Sequence, residues 1–233
     1  MSKGQVSSLS TSTEKSYQLK KYCTLAILTA LAFLCVVLFK VPVIGFLTYE
    51  PKDVIIVLAS FIFGPISGII VSVVVCVIEM ITISSTGPIG LIMNILSTIC
   101  FVLPSAIFYK KSTSRKSIII GLAIGGFATL IAMLLWNFLI TPIYMGIPRD
   151  DVVKMLLPVF IPFNLIKALI NGTIVILLLP VLDVLRKANL IPRLSISTKI
   201  DKPKSKNNLL IVITSIVILA TCVLLVLVLN GTI

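Results

Sequence analysis

Long apolar runs separated by short polar stretches set the plan of this chain. Residues 1–21 are polar, rich in Ser and Thr, and close on Lys20-Lys21, which reads as a mobile cytoplasmic tail. The first apolar run covers residues 23–39. Residues 40–53 (KVPVIGFLTYEPKD) form a loop with turn formers and near-balanced charge. Residues 54–63 are apolar until Gly64-Pro65 breaks the helix. That run is short for a membrane span, so its helix either starts within the preceding loop or lies inside a bundle. Further apolar runs occupy residues 67–84, 89–109, 117–140, 156–179 and 209–229. A helix rises 1.5 Å per residue, so about 20 apolar residues cross the ~30 Å hydrocarbon layer. Seven helical spans result.

Charge gives these spans a direction. With the N-terminus inside, 15 Lys and Arg fall in the opening tail, the loop KKSTSRK (110–116) and the basic stretch 183–208, against four (Lys40, Lys52, Arg149, Lys154) outside. This positive-inside bias predicts a cytoplasmic N-terminus and an external C-terminus. The net charge of +12 is spread over loops in that way, which fits topology and not nucleic-acid binding. A soluble domain carries about 25% charged residues; here only 12% are charged, 58% are hydrophobic, and mean hydropathy is +1.17. All five cysteines lie in apolar spans, where packing is their ordinary role. A basic start followed by an apolar run resembles a signal peptide, but no small-residue cleavage site follows it.

The run 156–179 (LLPVFIPFNLIKALINGTIVILLL) is unusual among these spans. It holds Pro158, Pro162, Asn164 and the charged Lys167, and the last two share one helix face at i,i+3. A charge within a span is costly and turns toward the protein interior or a cavity. Glu79 is the other such charge. The two pair across the bundle, line a polar ligand cavity, or do both. Asn94, Asn137, Tyr144 and Asn164 lie near the outer half and with Lys167 compose one outward pocket, or each serves helix packing. An amide offers a donor and an acceptor together, which suits the imide edge of a planar heterocycle. Ala26 and Ala30 form a small-xxx-small pattern that lets a second helix approach closely. Histidine is absent, as is any phosphate-binding G-x-x-x-x-G-K-[ST] loop. Catalysis on a substrate is therefore not expected, and ATP would be hydrolysed by separate subunits.

The succession FLTYEPKD, FIFGPISGII, GPIGLIMN, WNFLITPIYMG and PFNLIK resembles the substrate-binding S components of energy-coupling factor (ECF) vitamin transporters, of the riboflavin-specific type. The resemblance spans roughly residues 20–193. It implies an all-α integral membrane protein: a six-helix bundle (22–182), a basic linker (183–208) and one accessory helix (209–229) beyond the family's usual six. It further implies one vitamin bound near the outer face, a transmembrane coupling subunit and two ATPase subunits as partners, and no cofactor besides the transported ligand. By motif, Asn137, Tyr144, Asn164 and Lys167 would contact the ligand. Phe46, Leu47 and Thr48 would cover it, and Asn94 would assist. Glu79 stands outside that pattern yet joins the binding candidates. Ala26 and Ala30 would dock on the coupling subunit. A different vitamin or flavin analogue, or a stand-alone proton-coupled transporter using Glu79, are the alternative readings.

Overall fold

The computed structural model describes residues 3–44, 47–187 and 216–223. Helix α1 (Lys3–Leu38) runs through the segment expected as a mobile tail and into the first span without a break. No proline or glycine interrupts residues 5–38, so nothing local stops the helix. Two short antiparallel strands follow, β1 (Val41–Ile44) and β2 (Leu47–Tyr49), pairing Val41 with Tyr49 and Ile44 with Leu47. The stretch 40–53, expected as a plain loop, is thus a hairpin that feeds directly into a helix.

That helix, α2 (Lys52–Phe63), begins inside the charged stretch. Its 12 residues reach about 18 Å, too short to cross a bilayer. Ten of them are buried, and α2 packs against α1, α3, α4 and α7. Both readings of the short apolar run hold: the helix starts early, and it lies within the bundle. Phe61 of α2 stacks on Tyr109 with ring centroids 4.1 Å apart. Gly64 ends α2 at φ +92°, a conformation glycine adopts without a Cβ penalty, and Pro65 opens α3 (Pro65–Thr82).

Helices α4 (Gly87–Lys111) and α5 (Arg115–Met145) form an extensive pairing. A Cβ added at Gly125 would lie 2.4 Å from the Phe101 carbonyl oxygen, so only glycine permits this approach. Ser105 Oγ, which donates to the Phe101 carbonyl (2.8 Å) and the Gly121 carbonyl (3.3 Å), links the two helices. The proline-bearing span consists of α6 (Arg149–Met155), a single π-helical turn (Leu156–Phe160) holding Pro158, and α7 (Ile161–Lys187) with Pro162 in its first turn. Pro158 has no N–H to give a regular ladder, and the wider turn accommodates it. Among the described residues five helices are long and apolar enough to cross a membrane: Glu14–Leu38, Pro65–Thr82, Gly87–Lys111, Arg115–Met145 and Arg149–Leu185. Residues 216–223 are helical; the rest of the expected accessory helix, and the linker from 188 on, lie outside the described residues.

Candidate functional site

A cavity of about 190 Å³ opens at the hairpin end of the bundle. Its walls come from β2 (Leu47, Thr48), α3 (Glu79), α4 (Met93, Asn94, Ser97), α5 (Trp136, Asn137, Tyr144) and α7 (Phe163, Asn164, Lys167). The structure therefore brings together eight positions singled out in the sequence: Leu47, Thr48, Glu79, Asn94, Asn137, Tyr144, Asn164 and Lys167. Phe46 lies outside the described residues. Ala26 and Ala30 sit elsewhere, exposed on α1. Ser97 lies 13 residues, or about 20 Å, along α4 from the basic Lys110-Lys111. The cavity and the basic loop thus mark opposite ends of the molecule.

Helix periodicity aligns the wall groups. On α5, Met133, Asn137 and Thr141 recur every fourth residue; Asn137 Nδ2 donates to the Met133 carbonyl (2.7 Å), and Thr141 Oγ1 donates to Asn137 Oδ1 (2.8 Å). On α7, Asn164 Nδ2 donates to the carbonyl of Phe160, the last residue of the π-helical turn (2.8 Å). That bond sets the side-chain orientation of Asn164. Lys167 Nζ donates to Ser97 Oγ at 3.2 Å. Met93, Trp136, Ile140 and Phe163 supply apolar wall between these groups.

The charges pair differently from the sequence expectation. Glu79 and Lys167 are not partners. Lys167 meets Asp53 Oδ2 at 3.1 Å, and Glu79 Oε2 takes Lys52 Nζ while its Oε1 accepts from Asn94 (3.1 Å). Lys52 also holds Glu50 at 2.8 Å, and Lys40 meets Glu50 at 3.3 Å. Asp53 accepts from Thr98 Oγ1 (2.7 Å) and Asn171 Nδ2 (3.3 Å), and Tyr49 OH donates to Asn171 Oδ1 (2.7 Å). Burial alone pushes the Glu50 carboxyl up; Lys52 above all, with Lys167 and Lys40, overcomes this and holds it below the ordinary glutamate range. Burial, then the charge of Asp53, pushes the Tyr49 phenol above its usual value. Lys52, counted from sequence among the external charges, is 1% exposed and belongs to the interior.

The family profile described as "ECF transporter, substrate-specific component" matches residues 20–179, more than half of the chain. The chain belongs to this family of ECF transporter S components. A protein named riboflavin transporter RibU in Staphylococcus aureus is 34% identical over 69% of this S component and 89% of its own length. A protein named riboflavin transporter FmnP in Bacillus subtilis is 30% identical over 66% of this chain and 86% of its own. A solved structure described as the S component of a bacterial ECF transporter superposes with a TM-score of 0.61 at 33% identity, covering 76% of this chain and 99% of that one. This S component is accordingly a helical, multi-pass membrane transport protein and not an enzyme. S components are the substrate-specific parts of ECF transporters.

Sequence reasoning on this S component passed over Tyr49, Glu50, Lys52, Asp53, Ser97, Thr98 and Asn171. The stretch 49–53 looked like a polar loop because its charges balance. The available signal was the brevity of the apolar run after it: a helix that must begin among charges and end in a core carries those charges inward.

Proposed function

We propose that this protein is the riboflavin-binding subunit of an ECF importer, taking up the vitamin at the outer face and delivering it inward with ATP-driven partners. The observation that carries this reading is the cavity, where three amides and the ammonium of Lys167 stand among apolar residues at the end remote from the basic loop, with the mutually paired Lys40 and Glu50 also on its lining. An isoalloxazine ring is flat and largely apolar with polar atoms on its edges, so it needs apolar walls with few placed donors and acceptors. The names of relatives at 34% and 30% identity support the same ligand. Leu47 and Thr48 on the hairpin reach the cavity and serve as part of its cover. Ala26 and Ala30 lie exposed on α1 while Leu25 and Ala32 face inward, which leaves a shallow face for a helix of a coupling subunit. Riboflavin binding shifts docking only if it favours one arrangement of the cover.

The test is the absorbance spectrum of detergent-purified protein from a flavin-producing host. A yellow preparation with stoichiometric flavin bands is expected. A colourless one that also fails to quench the fluorescence of added riboflavin overturns the ligand assignment.

A further inference from the structure

The two ionisable side chains that α3 and α7 present to the cavity, Glu79 and Lys167, are each bound by one of two consecutive residues of α2. Lys52 binds Glu79, and Asp53 binds Lys167. Lys52 and Asp53 are 1% exposed and take no part in the cavity wall. Neighbours on a helix diverge by about 100°, so one turn of α2 can address two different helices. Here Lys52 addresses α3, and Asp53 addresses α7 and α4.

An ammonium carries three donors. Lys167 gives one to Asp53 Oδ2 and one to Ser97 Oγ, which leaves one for a ligand. Asp53 itself is fixed by Thr98 and by Asn171, and Asn171 is held by Tyr49 at the end of the hairpin. An ammonium lacking such a partner in a water-poor cavity would draw an anion or water in place of a neutral ligand. We infer that Lys52 and Asp53 are positioning residues for ligand binding, fixing Glu79 and Lys167 with their charges compensated so that the cavity accepts an uncharged ring. This inference rests on the riboflavin reading above.

The experiment titrates riboflavin fluorescence against the detergent-purified full chain as wild type, Asp53→Asn, Lys167→Met and the double variant. Each single change is expected to weaken binding by about tenfold or more. In the Lys167→Met background, Asp53→Asn is expected to add less than about threefold, because its effect passes through Lys167. A residue serving only the fold would cost the same factor in both backgrounds, so losses that multiply overturn the inference. Should Asp53→Asn alone fail to fold, the double variant, which removes both charges of the pair, is compared directly with Lys167→Met. Equal affinity supports the inference, and a loss beyond about threefold overturns it. Lys52→Met with Glu79→Gln reads the other half in the same way. Wild-type protein that leaves riboflavin unquenched overturns the ligand assignment and this inference together; wild-type binding with a multiplying cycle overturns this inference alone.

Discussion

Side chains of similar type differ in consequence here according to their surroundings. Lys154 pairs with Asp151 at 2.9 Å, but the two side chains are 76% and 53% exposed. Such a surface pair contributes about 0–1 kcal/mol, and Lys154→Ala is expected to leave riboflavin affinity unchanged. Lys167 makes an ion pair of nearly the same length with a carboxylate that is fully buried, at a cavity. Asn164 is 3% exposed, with its amide tied to the Phe160 carbonyl. Removing a buried donor or acceptor costs about 1–3 kcal/mol. Asn164→Ala and Lys167→Ala are each expected to weaken riboflavin binding by about fivefold or more. Fluorescence titration measures this, and unchanged affinity in both variants removes them from the ligand's contacts.

Elements meet through surfaces that residue types alone do not describe. The α4–α5 contact depends on bare backbone at Gly125, against the Phe101 carbonyl. Gly125→Leu forces the two helices apart and is expected to destabilise the protein by about 1–3 kcal/mol, read as a lower melting temperature in detergent. An unaltered melting curve would mean that the helices have room to spare. The exposed alanines of α1 make the opposite case, since among the described residues they are not covered by any other part of the chain. Ala26→Leu or Ala30→Leu should therefore spare riboflavin binding and abolish uptake in cells carrying the partner subunits. Uptake that survives both changes places the docking face elsewhere.

The molecule as a whole is polarised along its length. The cavity, the hairpin and the turn before α6 lie at one end; Lys110, Lys111, Arg115 and Lys116 lie at the other. Moving Lys52 from the external count to the interior sharpens the sequence bias to 15 inside against three outside. The bias predicts that the cavity faces outward. A membrane-impermeant maleimide added to whole cells should label Asp150→Cys and leave Lys111→Cys unlabelled. The reverse pattern would invert the topology and, with it, the direction of uptake.

Much of this was legible before any fold was drawn. The spans follow from hydropathy summed over consecutive residues, and the shared face of Asn164 and Lys167 follows from helical spacing; both are local quantities. The order of the motifs located seven groups, and a charge within a span an eighth, Glu79, that the fold then gathered around one cavity. Which charge meets which is not local. Three acids (Glu50, Asp53, Glu79) and three lysines (Lys40, Lys52, Lys167) can be matched in several neutral ways, and Glu79 with Lys167 is the one suggested by their shared place within apolar spans. Only the burial of α2 among α1, α3, α4 and α7 brings Lys52 to Glu79 and Asp53 to Lys167. Partner choice depends on which helix ends come within about 4 Å in a medium too dry to leave a charge unpaired.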